Sequence, residues 1–273
     1  MTGETPVTAG IRLSAWRNGV PRKTERCLAE ETPIAITYNE LPYAVMMASP
    51  LDLDDFALGF TLTEAFITHP GEIISCNTVP HALGVELRMV LARPALERVL
   101  TRRRRVAGYT GCGVCGLESL EQVMRPLPAP GASQETPAKI SASALRAAFA
   151  GLEARQHLNN KTRAVHAAAF WSPETGLGPV REDVGRHNAL DKLAGALALK
   201  HQHPGQGAIL LTSRISIELV QKAAMCGATL LAAISAPTAL AVRVAEQAGI
   251  TLAAIVRDDG FEVFTHPGRI DFS

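Results

Sequence analysis

The sequence has almost no charge imbalance. Its 27 lysines and arginines face 26 aspartates and glutamates, a formal +1 at pH 7. That balance gives no general reason to expect nucleic acid or an anionic membrane as the main partner. Met1 to Gly10 lacks a basic start followed by an apolar stretch, so it does not read as a signal peptide. There is no internal repeat and no low-complexity tract, which argues against a solenoid or a disordered chain. The five cysteines (27, 76, 112, 115 and 226) are odd in number and scattered apart from one close pair. A disulfide framework is thereby excluded, and a reducing compartment fits. Ala223 to Val242 carries no charge and is long enough to cross a bilayer. Gly227, Ser235, Pro237 and Thr238 interrupt it, however, and a buried strand, a turn and a helix explain it better. The expected location is the cytoplasm.

What the sequence does have is material for a core, with 47% apolar residues in 273, between one large domain and two modest ones. Thr32 to Tyr38 alternates as a half-buried strand does, and Tyr43 to Ala48 is a second apolar run across the turn Asn39–Pro42. Asp52 to Asp55 places acids at a helix start, with Phe56, Phe60, Leu62 and Phe66 following at helical spacing. Val85 to Leu91 predicts another strand. Pro126 to Pro137 holds four prolines and reads as a linker. Ser141 or Ser143 then caps a helix to about His157. Strands at Gly207–Leu211, Thr229–Ile234 and Thr251–Val256 alternate with helices at Ser216–Cys226 and Thr238–Ala248, and Phe261–Thr265 could add an edge strand. This rhythm predicts a mainly parallel sheet covered on both faces. The expected division is an extension over 1–29, an α+β part over 30–124, a Pro-rich linker over 125–140 and an α/β domain over 141–273.

Three motifs carry chemistry. Gly108 to Gly116 sets four glycines around Cys112 and Cys115, just after the run Arg102–Arg105. Glycines let the backbone approach another molecule closely, and guanidinium groups favour the nucleophilic thiolate. Such a thiolate could take sulfur from a persulfide and pass it on. A purely structural pair is the alternative; a zinc ribbon would need a second ligand pair that the sequence lacks. The second motif, Arg181 to Lys192, concentrates charge before the apolar helix Ala189–Leu199. Arg186, His187 and Asn188 at that helix start either hold a phosphate or base edge or cap the helix through internal ion pairs. The third is a set of polar loops after successive strands: Thr212-Ser213-Arg214, Ser235–Thr238 and Arg257–Gly260. Ligands of open α/β sheets bind at that edge, and three such loops support a nucleotide-like ligand.

Together these segments closely resemble the FdhD family of formate dehydrogenase accessory sulfurtransferases. The resemblance rests on Met46–Pro50 running into Asp55–Phe60, on Gly111-Cys112-Gly113-Val114-Cys115-Gly116 and on Arg181–Lys192, with Ser213–Ser216, Ser235–Val242 and Arg269-Ile270 also matching. It implies an α/β fold, a cytidine deaminase-like three-layer domain with a mostly parallel sheet plus a smaller N-terminal α+β part, and a homodimer. It implies that the chain accepts persulfide sulfur from a cysteine desulfurase and passes it to the molybdenum cofactor, bis-molybdopterin guanine dinucleotide, for formate dehydrogenase. Cys112 then corresponds to the persulfide carrier, with Cys115 as helper or resolving thiol. The cofactor-binding stretch falls on Ile255, Val256, Arg257, Asp258, Asp259 and Gly260. Arg181, Asp183, His187, Asn188, Ser213 and Arg214 are assigned to the nucleotide site from their place at the strand ends. A non-enzymatic cofactor chaperone with structural cysteines is the alternative function. A zinc deaminase needs His-x-Glu and Pro-Cys-x-x-Cys; none of the eight histidines precedes glutamate at that spacing, and Gly111 stands at the proline position. The sequence departs from the family where Thr162 to His166 replaces the usual paired glycines, and at Ala65.

Overall fold

A computed structural model describes residues 5–107, 127–128 and 139–273. Cys112, Cys115 and most of the expected linker lie outside the described residues. Strands β1 (Thr8–Arg17) and β2 (Val20–Ala29) form an antiparallel ribbon. It turns at Asn18 and Gly19, both at positive φ, as a two-residue Asn-Gly hairpin turn requires. The expected extension over 1–29 is therefore mostly a hairpin. Ile11, Trp16, Val20 and Leu28 on it are exposed, so no core-facing alternation marks it in the sequence.

Strands β3 (Thr32–Tyr38), β4 (Leu41–Ala48), β5 (Ile73–His81) and β6 (Gly84–Leu91) form a sheet in the order β4-β3-β6-β5. Helix α1 (Leu53–Thr63), with Asp54 and Asp55 in its first turn, and helix α2 (Arg93–Ala107) complete this part. Ile34, Ile36, Tyr38, Phe56, Phe66, Leu87 and Met89 make its core. The buried Tyr38 hydroxyl lies 2.9 Å from Thr61 Oγ1, so its polar tip is satisfied. The arginine run lies at the end of α2. Earlier in that helix Arg98 donates to the Phe66 carbonyl at 2.7 Å and pairs with Glu72. Burial alone would raise the Glu72 carboxyl, yet the Thr68 backbone N–H, Arg98 and the Thr68 hydroxyl outweigh it and hold the group down to about 2. A carboxyl lowered by folding stabilises the protein above its unfolded value and loses that contribution as pH falls towards 2. Glu72→Gln should therefore be less stable than wild type at pH 7, with the difference shrinking between pH 4.5 and 2 in urea melts; a pH-independent difference would refute the assignment.

The second part holds α3 (Ala142–Ala154), capped by Ser141 at 3.2 Å, and the short α4 (His157–Thr162). The single helix expected to about His157 thus ends early, and a new one begins. Strands β7 (Ile140–Ser141) and β14 (Ile270–Asp271) pair beside them. The main sheet comprises β8 (His166–Ser172), β9 (Gly176–Asp183), β10 (Ala208–Leu211), β11 (Leu230–Ala233), β12 (Thr251–Arg257) and β13 (Gly260–Thr265), in the order β13-β12-β11-β10-β8-β9. One correction concerns its direction. Only β10–β11 and β11–β12 are parallel; β8–β9, β8–β10 and β12–β13 are antiparallel, so the sheet is mixed rather than mostly parallel. The hairpin β8–β9 supplies two of those pairings. Helices α5 (Arg186–Leu199), α6 (Ile217–Met225) and α7 (Ala239–Gln247) cover one face through Leu190, Leu193, Val220 and Val244. Helix α3 covers the other through Leu145, Ala148 and Leu152. The result is three layers.

The two parts meet where α1 crosses α5. A Cβ built on Gly59 would sit 1.7 Å from the Asp191 carbonyl oxygen, and one on Gly195 would sit 1.9 Å from that of Asp55. Only glycine permits so close a crossing. Among the described residues no helix is long and apolar enough to cross a membrane.

Candidate functional site

The charged motif Arg181–Lys192 spans the end of β9 and the start of α5, and the structure divides its residues. Asp183 and Lys192 are fully buried and paired at 2.6 Å. Asp183 also accepts from the Ser49 backbone N–H (3.0 Å), the Gly185 N–H (2.7 Å) and Asn188 Nδ2 (3.0 Å). Lys192 donates to the Ser49 carbonyl at 2.9 Å, and Asn188 to the Met47 carbonyl at 2.8 Å. Burial pushes the Lys192 ammonium down against the pull of Asp183. Both lone-pair sets of Asp183 and the amide of Asn188 are thus occupied within the protein. Arg181 pairs with Asp55 at 2.6 Å at the start of α1. Of this motif's expected ligand residues, Arg186 and His187 are partly exposed and, among the described residues, have no buried ion-pair partner. The Nε2 of His187 lies 3.5 Å from Ser216 Oγ and 3.9 Å from Glu218. Burial, Arg186 and Lys222 lower its pKa, which keeps the imidazole neutral at pH 7.

A second polar seam joins the parts. Lys222 on α6 reaches Asp191 (2.8 and 3.0 Å), Glu64 (3.1 Å) and Thr63 (3.0 Å). Burial alone would lower this ammonium, but Asp191 and Glu64 outweigh it and raise it. Glu64 in turn pairs with Arg102 of α2 at 2.9 Å. The helix that leads into the cysteine segment is thereby tied to the sheet domain. Reading the sequence alone missed Lys222 and Glu64, because a single lysine within an apolar helix gives no local signal of its partners.

The expected edge loops converge in part. A cavity of about 660 Å³ opens between α3 and the ends of β10, β11 and β12. Val256, Arg257 and Asp258 line it, with Thr212, Ile234 and His166 from the neighbouring strands and Arg146 and Arg163 from the helices. Ile255, just before this lining, sits at φ 56, where a β-branched residue is strained, and marks a bulge between β12 and β13. Such strain gathers at binding sites. Arg257 donates to the Ile234 carbonyl and, at 2.8 Å, to its own neighbour Val256. Arg146 donates to the Asp258 carbonyl. Asp259 and Gly260 follow at the turn into β13, and Ser213 is buried with its hydroxyl on the Arg214 carbonyl at 3.2 Å. Arg181, Asp183, His187, Asn188, Ser213 and Arg214 are not among the cavity's lining residues.

The FdhD/NarQ family model matches residues 29–271. The chain belongs to the FdhD/NarQ family. Its relatives include sulfur carrier proteins FdhD from Cupriavidus necator, 49% identical over 98% of this chain and 91% of that protein, and from Agrobacterium fabrum, 47% identical over 95% of each. One from Xanthomonas campestris is 43% identical over 99% of this chain and 97% of that protein. A crystal structure of a Desulfotalea psychrophila protein described as a formate dehydrogenase accessory protein superposes with a TM-score of 0.76, over 97% of this chain and all of that one, at 23% identity. This likeness concerns the fold. The ribbon β1–β2 precedes all but the first residue of the FdhD/NarQ match, whereas the buried seams and the cavity fall inside it.

Proposed function

We propose that this chain is a sulfur carrier serving formate dehydrogenase, taking persulfide sulfur from a cysteine desulfurase and delivering it to the molybdenum cofactor. The observation that carries the reading is the shared name of relatives 43–49% identical over nearly the whole chain. In the first step the Cys112 thiolate attacks the outer sulfur of the donor's persulfide. The donor's S–S bond breaks, its cysteine leaves as thiolate, and Cys112 becomes the persulfide. In the second, Cys115 attacks Cys112, the terminal sulfur leaves as sulfide towards the acceptor, and a Cys112–Cys115 disulfide remains for reduction by a cellular thiol. The bis-molybdopterin guanine dinucleotide is substrate here. The cavity lined by Val256, Arg257 and Asp258 supports a site for its anionic nucleotide end, since a concavity carrying arginines suits phosphate. In this reading Asp183 and Asn188 position the start of α5 rather than touch the ligand. The three-layer domain is read as deaminase-like, and the protein as a cytoplasmic homodimer.

A cofactor chaperone without sulfur chemistry is the second reading, favoured by a cavity whose described lining holds no cysteine. Incubation with a cysteine desulfurase and cysteine, followed by intact-protein mass spectrometry, separates the two. A sulfur-sized gain is expected in wild type and in Cys115→Ala but not in Cys112→Ala. No gain in wild type beside an active desulfurase would favour the chaperone.

A further inference from the structure

We propose that Arg163 is an anion-binding residue of the cavity, taking a phosphate group of the ligand. Three observations on one residue carry this. Arg163 caps the C-terminus of α4 at φ 56 and ψ 32, its N–H donating to the Asn159 carbonyl at 2.7 Å. That left-handed position suits glycine, and a side chain there is strained. Its side chain is exposed and lines the cavity. Among the described residues its guanidinium makes no hydrogen bond and no ion pair, whereas the other two arginines of the cavity already donate to carbonyls of Ile234, Val256 and Asp258. A strained backbone therefore presents a cation that engages no partner among the described residues. The adjacent cavity is the place where it can be used. Among the described residues nothing takes up the five donors of Arg163, and their fork fits two phosphate oxygens. Glu153 and Asp258 are the acids of the lining. Asp258 has its backbone carbonyl held by Arg146, so three arginines outnumber the two acids.

This inference rests on reading the cavity as the nucleotide site, and it adds that Arg163 sets affinity there. Guanosine diphosphate, a soluble pyrophosphate ester, is the probe, titrated calorimetrically at low and moderate salt. Arg163→Gly should bind it at least roughly tenfold more weakly, as expected for loss of a charge-assisted pair, and with a shallower salt dependence. Arg163→Lys should recover part of the affinity. Thermal melting of Arg163→Gly should not fall, because glycine is at home at that φ; a merely structural residue would show the reverse pattern. Equal binding by wild type and Arg163→Gly overturns the assignment of Arg163 and leaves the cavity reading standing. Absence of binding by wild type, or binding that the cavity-filling Ala150→Trp leaves unchanged, overturns the cavity reading and the role of Arg163 with it.

Discussion

Asp183→Ala is expected to destabilise the protein by about 3–5 kcal/mol, the usual cost of leaving a buried charge without its partner. The reasoning starts from burial. Asp183 and Lys192 are both fully inaccessible, so water cannot replace the lost carboxylate. Among the described residues Lys192 would keep only the Ser49 carbonyl as a hydrogen-bond partner. The N–H groups of Ser49 and Gly185 and the amide of Asn188 would each lose an acceptor. Urea unfolding at neutral pH reads the effect as a lower midpoint. The double variant Asp183→Ala/Lys192→Met should recover only part of it. Removing the cation cures the unpaired charge, but the orphaned N–H groups remain. Full recovery, or a loss below about 1 kcal/mol, would show that the seam is hydrated or relaxes.

Cys112→Ala is the second large effect expected. Cells whose only copy carries it should have formate dehydrogenase activity no higher than cells lacking the protein. Cys76 and Cys226 cannot stand in, because both are held as thiols. Burial, helped by Asp54, raises Cys76 to about 11, and burial, helped by Asp191, raises Cys226 to about 12. A thiol at those values supplies almost no nucleophile at neutral pH. Wild-type activity in the Cys112→Ala strain would end the sulfur-carrier reading. A lesser loss with Cys115→Ala would fit a resolving role that an external thiol can take over, whereas an equal loss would place both sulfurs on the obligatory route.

Much of the fold was legible because its signals are local. Thr32–Tyr38 reads as a strand by alternation, and Phe56 and Phe60 mark the buried face of α1. The strands near 208–211, 230–233 and 251–257 stand out as short apolar runs between turn residues. Strand direction was not legible. The run Ala167 to Phe170 is apolar enough for either a helix or a strand, and the hairpin it opens is what makes the sheet mixed. The lining of the cavity was legible in part. Val256, Arg257 and Asp258 do line one cavity, because strand ends converge on a sheet edge whatever the details. Asp183 and Asn188 look like ligand residues in sequence, since a dense polar motif is the same string whether it faces solvent or a buried neighbour. Their partners, Met47 and Ser49, lie more than a hundred residues away, and no spacing rule connects them. Arg163 is marked in sequence only as part of the segment that departs from the family's paired glycines; its left-handed backbone appears only in three dimensions.

The glycine crossing of α1 and α5, with the seams on either side of it, bears on how the chain could be divided. Ser49 lies in one half while Asp183 and Lys192 lie in the other, and neither half can satisfy its own polar groups. Fragments cut between Ala107 and Lys139 would each expose a charged, grooved face matched to one partner alone. The molecule is organised as a lock whose two pieces recognise each other, and a pair of half-proteins made separately has in that face the information needed to find its mate.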